Sequence, residues 1–474
     1  MKRLDDIRIE LEQAGPMRVS ARILASPKIL LEDTAVQQLR DAASVPGVVR
    51  ALATPDIHQG YGVPIGCVLA LDNAVMPAAV GYDVNCGMRL IATDAIADEV
   101  DVSQLAHSIG RDIPLGEGRS NVELTPDALD AVLTDGVAAL PRIAGCSRHR
   151  VWDLLEAEAL SRDARRIEQQ GQMPGDPAAL SARARKRGMS QLATLGGGNH
   201  FIELQRVDAI LDAAAAEALG VFAGQLVVMI HSGSRGLGHQ VATDFMPLAE
   251  QVSGSQVPNR DLCFLPADSP QGRQYIGAMN AAANFAFANR QLMAELVRRN
   301  IRYYLGPDAR ADLVYDVPHN MAKLEEHDGR TVWVHRKGAT RAFGPARMTG
   351  TPFDRTGQPV IIPGSMGTAS YLLLGVDGNA ETLASVNHGA GRTMSRSAAA
   401  GKRRGGRVVK EGLISDADFA RAMRGVELIA ADRHAAKEEA PQAYKDIDEV
   451  IRVVVKAKLA RAVARLKPLA VLKG

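Results

Sequence analysis

Apolar residues recur along the chain in short β-branched runs, and a glycine-rich or polar turn follows each. Residues 226–231 read LVVMIH before SGSRGLGH, and residues 312–319 read DLVYDVPH. Residues 359–362 read PVII, then PGSMGTAS, then the apolar run YLLLG. Runs of this length predict strands, and the glycines between them predict tight turns. Residues 67–72 predict a further strand, after a Gly- and Pro-rich loop at 55–66 (PDIHQGYGVPIG). Helical spacing predicts a short helix over 35–44, a long one over about 275–300 and another over about 445–466. In the last, Ile451, Val454, Val455, Leu459 and Val463 form a core-facing stripe. Residues 100–175 are polar, lean towards helix and yield no chemistry. Regular βαβ alternation is weak. The expected class is therefore α+β: a single large domain, residues 1–474, with β-sheets carrying ligands at strand ends and helices packed around them.

Composition narrows this picture. With 46% hydrophobic and 23% charged residues in 474, the chain has the make-up of a soluble globular protein. Aromatic content of 4% means that aliphatic side chains fill most of the core. A net charge of +2 excludes nucleic-acid binding by bulk electrostatics, so any anionic partner is held locally. Two basic clusters exist, Arg183–Arg187 in ARARKRG and Lys402–Arg407 in GKRRGGR; by charge alone each reads as a solvated surface loop. Cys67, Cys86, Cys146 and Cys263 form no C-x-x-C pair, which argues against a disulfide framework. The start, MKRLDDIRIELEQAG, has no apolar core of a signal peptide. No apolar run nears the ~20 residues of a membrane span. A reducing cytoplasm is the expected compartment.

The polar positions carry the chemistry. GYDVNCGMR at 81–89 sets Asp83 and Cys86 three residues apart, so a carboxylate and a thiolate can share one metal or bridge two. LGGGNHFIEL at 195–204 places Asn199 and His200 after three glycines, with Glu203 following. His231 ends an apolar run, and Arg235 lies in the glycine turn beyond it, which suits an oxyanion. DVPHN at 316–320 adds His319 and Asn320. Three histidines at strand ends or glycine turns, with an Asp/Cys pair, predict a transition-metal centre of Asp83, Cys86, His200, His231 and His319.

His388 stands apart, in NHGAGRTMSR between glycines and near Arg392 and Arg396. A neutral imidazole can attack phosphorus, and forked arginines can hold the phosphates. The competing reading makes His388 another metal ligand. PGSMGTAS at 363–370 offers backbone N–H groups and the hydroxyls of Ser365 and Ser370, without the Walker pattern.

Together these motifs resemble the RtcB family of GTP-dependent RNA-splicing ligases. The resemblance rests on PDIHQGYGVPIG, GYDVNCGMR, LGGGNHFIEL, HSGSRGLGH, DVPHN, PGSMGTASY, HGAGR, AYKDIDEV and Lys473-Gly474. It implies joining of RNA 2′,3′-cyclic phosphate or 3′-phosphate ends to 5′-hydroxyl ends, with GTP and two manganese ions. Zn²⁺ or Co²⁺ would be the substitutes. Asp83 and Cys86 would serve both metals with Cys86 bridging, His200 would bind one ion, and His231 and His319 the other. His388 would carry GMP covalently. The implied GTP contacts are Asn199, His200, Phe201, Ile202, Glu203, His319, Asn320, Pro363, Gly364, Ser365, Met366, Ser370, His388, Gly389, Ala390, Gly391, Tyr444 and Lys473. Arg187, Arg235, Arg392 and Arg396 would hold RNA or GTP phosphates. The implied partners are broken or spliced RNA, including transfer RNA halves, and the small activator archease. Two other readings of the same residues stay open: a dinuclear-metal phosphodiesterase and a non-enzymatic RNA-binding metal protein.

Overall fold

The structure is a computed structural model describing residues 1–404 and 407–474, the side chains of 403–408 excepted. The class is α+β, as expected. Among the described residues two large, mostly antiparallel sheets dominate. The first runs, edge to edge, through Lys2–Arg3, Arg8–Leu11, Ala21–Leu24, Val48–His58, Ile65–Leu71, Arg330–Lys337 and Asn320–His327. The second runs Ala311–Pro318, Gly87–Ile96, Gln225–Ser232, Phe201–Ile210, Ala460–Lys473, Ser370–Gly375 and Pro359–Ile362. The short strand Glu427–Ala430 joins Ala460–Lys473 in parallel.

The apolar runs form strands because the second sheet is covered on both faces. Every residue of Gln225–Ser232, Ser370–Gly375 and Pro359–Ile362 is buried. One cover is the helix Pro270–Leu305, which shares a core with Ile91, Val228 and Ile230 through Phe285, Leu292 and Leu296. It begins sharply, with the Ser269 hydroxyl capping Gly272 N–H and Pro270 in the first turn. The helix Ile447–Lys456 packs Val450 and Val454 into a second core with Leu69 and Leu71 of the first sheet and Leu373 of the second. Leu373 is fully buried between neighbouring strands. Leu373→Ala is expected to cost about 2–5 kcal/mol of stability, seen as a lowered urea midpoint at unchanged slope.

Several sequence expectations change. The helix expected over 445–466 ends at Lys456, Lys458 turns at φ 56°, and Ala460–Lys473 is a strand. Leu459 and Val463 are both fully buried. A spacing of four is two strand repeats as well as one helical turn, so the stripe fitted either state and sheet pairing decided. The loop expected over 55–66 is shorter, because the strand Val48–His58 runs through its start and the next strand opens at Ile65. Pro55 is tolerated because pairing is interrupted between Ala53 and His58. The arginines at 183–187 lie on the helix Ala182–Gly188, where Arg185 pairs with Asp130 at 2.6 Å, rather than in a loop. In the cluster Lys402–Arg407, residues 402–404 belong to the strand Gly401–Arg404 and Arg407 opens the antiparallel strand Arg407–Glu411, rather than a loop; residues 405 and 406 lie outside the described residues. All four cysteines are free thiols.

Candidate metal centre and histidine site

The two sheets meet where the expected ligands lie. Asp83 and Cys86 sit on the turn entering Gly87–Ile96, His200 immediately precedes Phe201–Ile210, and His231 is the penultimate residue of Gln225–Ser232. His319 is the single residue between Ala311–Pro318 of one sheet and Asn320–His327 of the other. Strand register aligns them: Met88 and Phe201 both lie opposite His231, and Gly87 lies opposite Pro318. The backbone N–H of His319 donates to Cys86 O at 2.8 Å.

Cys86 Sγ lies 3.3 Å from His200 Nε2 and 3.2 Å from His231 Nε2. His200 Nε2 is 2.8 Å from Asp83 Oδ2, and His231 Nε2 is 3.3 Å from His319 Nε2. Metal bonds of 2.0–2.3 Å in a tetrahedral site put neighbouring donors roughly 3.3–3.7 Å apart. Cys86, His200 and His231 thus form a buried group that could hold a metal ion. The contacts fall into two overlapping sets, Asp83–His200–Cys86 and Cys86–His231–His319, sharing the sulfur. The protonation chemistry suits a cation. Burial drives the His231 and His319 imidazoles well below their usual range, so both are neutral. Burial alone would raise Asp83, but the adjacent His200 outweighs it and holds the carboxylate at about 2. Burial and Asp83 push the Cys86 thiol well up, a penalty that a bound cation reverses. His200 Nδ1 donates to Leu195 O at 3.1 Å, since a carbonyl only accepts, and this turns Nε2 towards the sulfur.

His388 lies outside this donor group. Its ring centroid is 4.7 Å from that of His319, and Nδ1 donates to Asp56 Oδ2 at 2.7 Å. Asp56 is wholly buried, and Thr54 Oγ1 donates to its other oxygen at 2.6 Å. Burial would raise the Asp56 carboxyl, yet the hydrogen bond and charge of His388, the Thr54 hydroxyl and His58 together outweigh this and keep it below its usual value. The bond commits Nδ1 and leaves Nε2 as the ring nitrogen not held by Asp56. Gly391 lets this segment approach. Its φ is +79°, and a Cβ there would lie 2.2 Å from Asp56 O. Gly391→Ala is expected to lose on the order of 2 kcal/mol or more, measured by urea unfolding.

The remaining expected residues surround these two features. Arg235, at φ 57°, is buried with Nη1 3.5 Å from His200 Nδ1. Gly196 must be glycine for it to fit, since a Cβ there would fall 2.0 Å from that guanidinium. Arg187 Nη1 donates to Gly236 O at 3.4 Å. Asn320 Nδ2 donates to Asp83 O at 3.2 Å, and half-buried Asn199 sits beside His200. Phe201 sets its edge against His231 at 5.2 Å, with Lys473 Nζ 5.9 Å from its centroid. Burial pushes Glu203 up to about 8 and Lys473 down to about 8. Gln205 Nε2 bridges Glu203 and Ser370 at 2.6 and 3.0 Å, and Gly364 N–H donates to Ser370 Oγ at 3.3 Å. Ser365 N–H donates to Thr368 Oγ1 at 2.7 Å. Pro363 O faces Gly389, and a Cβ added there would meet it at 3.5 Å. The side chains of Ile202, Met366 and Ala390 are buried in apolar cores, which leaves their backbones for a ligand.

Arg392, Arg396 and Tyr444 converge on one acid absent from the sequence reading, Glu439. Arg392 Nη1 and Arg396 Nε reach its two oxygens at 3.0 and 2.7 Å, the Tyr444 hydroxyl donates to it, and Arg392 lies 5.2 Å over the Tyr444 ring. Glu439 hides in sequence because KEEA reads as a solvated face. Asp56 was legible only as an acid in a Gly/Pro motif. The 100–175 segment also reaches the site: Gly116 N–H donates to Gly196 O at 3.0 Å, and Glu117 packs against Gly197. A surface cleft of about 870 Å³ is lined by none of the expected residues.

A family model described as tRNA-splicing ligase RtcB matches residues 38–474. The chain is 43% identical, over 499 aligned residues covering 100% of it and 99% of the relative, to the tRNA-splicing ligase RtcB of Thermococcus kodakarensis. It is 40% identical to the tRNA-splicing ligase RtcB of Archaeoglobus fulgidus, over 100% of this chain and 99% of that one. It is 43% identical to the RNA-splicing ligase RtcB of Mycobacterium tuberculosis, over 92% of this chain and 100% of that one. A match of this extent, at this identity to relatives spanned almost from end to end, means that the chain belongs to the tRNA-splicing ligase RtcB family.

Proposed function

We propose that this chain is an RNA ligase, acting as one catalytic unit over residues 1–474, that seals 3′-phosphate or 2′,3′-cyclic phosphate ends to 5′-hydroxyl ends with GTP. The observation that carries the proposal is His388: oriented by Asp56, beside the Cys86-centred donor group but outside it. His388 Nε2 attacks the α-phosphorus of GTP, the bond to the β-phosphate oxygen breaks, and pyrophosphate leaves. Where the end is a 2′,3′-cyclic phosphate, water first breaks its P–O2′ bond to leave a 2′-hydroxyl and a 3′-phosphate; the RNA 3′-phosphate then takes GMP from the histidine. The 5′-hydroxyl then attacks that 3′-phosphorus, and GMP departs as the strand closes. Asp56 accepts the Nδ1–H hydrogen bond, stays ionised, and steadies the imidazolium that attack creates.

Asp83, Cys86, His200, His231 and His319 would hold two manganese ions, with Cys86 shared. Bound metal supplies positive charge against the reacting phosphates. A thiolate with imidazoles also accepts Zn²⁺ or Co²⁺, so manganese use would depend on geometry and supply. Arg187 and Arg235 would hold phosphates at the metal side. Arg392 and Arg396, now paired with Glu439, would do so on the nucleotide side. Asn199, Phe201, Glu203, Ser365, Ser370, Tyr444 and Lys473, with the backbones of 363–366 and 389–391, would enclose GTP. Transfer RNA halves, other broken RNA and an archease-type activator are the proposed partners, in the cytoplasm. No helix among the described residues is long and apolar enough to cross a membrane.

The test is incubation with α-labelled GTP and Mn²⁺, denaturation, and a search for protein-bound label. The expected adduct is acid-labile and alkali-stable, and its label moves to 3′-phosphate RNA. No adduct with Mn²⁺, Co²⁺ or Zn²⁺ overturns the proposal. Asp56→Asn is expected to slow adduct formation roughly 10²- to 10⁴-fold, with metal affinity unchanged, as read from initial labelling rates beside Co²⁺ titrations.

A further inference from the structure

The helix Pro270–Leu305 is buried along most of its length, yet it carries buried polar side chains that no step above uses. Arg290 is fully buried. Its Nε and Nη2 donate to Asp316 Oδ2 and Oδ1 at 2.9 and 2.8 Å. Its Nη1 donates to two main-chain carbonyls, Asn85 O at 2.8 Å and Ser232 O at 3.0 Å. Asn85 directly precedes Cys86, Ser232 directly follows His231, and Asp316 stands three residues before His319. The neighbouring Asn289, also fully buried, donates Nδ2 to Thr194 O and Ser232 Oγ at 3.2 Å and to Gly233 O at 3.3 Å. Its Oδ1 accepts from Thr194 N–H at 3.2 Å, where the chain enters the glycine turn leading to His200. Two consecutive residues of one helix therefore grip the segments carrying Cys86, His200, His231 and His319.

We propose that Asn289 and Arg290 are positioning residues of the metal centre. They hold its four Cys and His donors in one geometry from behind. The inference rests on the metal reading above and names what builds that site. An ordinary core ion pair would need only Asp316, and Arg89 already supplies a partner there, its Nε 2.8 Å from Asp316 Oδ2. Arg290 instead uses four bonds of its planar fork on three chain segments, which a lysine ammonium cannot reproduce. Gly87 is shaped to this group: a Cβ there would lie 3.2 Å from the Arg290 guanidinium carbon and 2.8 Å from Val317 O. Groups that orient ligands from behind typically govern metal affinity.

The test uses Arg290→Lys, which keeps the charge, and Asn289→Ala, both in the full chain. A third variant, Arg290→Met, leaves Asp316 paired with Arg89, so no buried charge is stranded. Each is melted without metal, then titrated with Co²⁺ while the Cys86 thiolate-to-cobalt absorption band is followed. The expected result is a metal-free melting temperature close to the parent's for at least one variant. With it come a roughly 10- to 100-fold loss of Co²⁺ affinity and a weakened or shifted band at saturation. Parent affinity and an unchanged band in folded Arg290→Lys and Asn289→Ala overturn the inference. So does a loss of affinity wholly matched by lost metal-free stability with the saturated band intact. If the parent itself shows no thiolate band, the metal reading fails, and that result is separate from either variant's.

Discussion

His388→Ala is expected to abolish the covalent guanylate and strand joining together, by at least about 10³-fold, while the protein still binds Co²⁺ with nearly parental affinity. The second half of the result carries the argument. The ring lies close to His319, but its Nδ1 is committed to Asp56, and the Cys86 sulfur meets His200 and His231. A histidine oriented by a buried carboxylate, with the other nitrogen free, is arranged as a nucleophile. A permanent ligand would instead leave the metal weakened when removed. Titration of the variant with Co²⁺, beside labelling with α-labelled GTP, separates the two. Loss of metal and adduct in equal measure would make His388 a ligand and remove the covalent step.

Cys86→Ala is expected to lower metal affinity by on the order of 10³-fold or more, to erase the thiolate-to-cobalt band and to take adduct formation with it. Sγ lies within 3.3 Å of both His200 Nε2 and His231 Nε2. Without it, Asp83 with His200 and His231 with His319 become two pairs with no common donor. Cys67 is the control. It is as deeply buried, burial drives its thiol up to about 12, and it belongs to the core of the Ile65–Leu71 strand. Cys67→Ala should leave the band and the labelling rate as they are. A Cys86→Ala protein that keeps its cobalt spectrum would end the shared-sulfur reading.

Much of this site was legible in sequence because its donors are of rare kinds at marked places: a histidine closing LVVMIH, another after three glycines, a cysteine in GYDVNCG. Side chains at strand ends converge whenever the strands pair in register, and here Met88 and Phe201 both face His231. What was not legible depends on pairing across the fold. Asp56 acquires meaning only through the distant His388, and Glu439 only when two arginines fold onto it. Asn289 and Arg290 lie in a helix whose mixed polar pattern looks solvated but is buried, so the pattern misstates its surroundings. The stripe through Leu459 and Val463 fitted helix and strand equally, and no local signal could choose between them.

The strand Ala460–Lys473 has a consequence for how the chain reaches this state. It lies between Phe201–Ile210 and Ser370–Gly375, pairing with both. Until it arrives, those two strands present unpaired edges separated by a long stretch of chain, and Ser370–Gly375 is strongly apolar. Pairings of such sequence separation are slow to form, and open edges of this kind recruit other chains. Synthesis therefore passes through a stage in which residues 1–459 exist but the second sheet cannot close. Yield on refolding should fall steeply with protein concentration, and a chaperone that shields sheet edges should recover it.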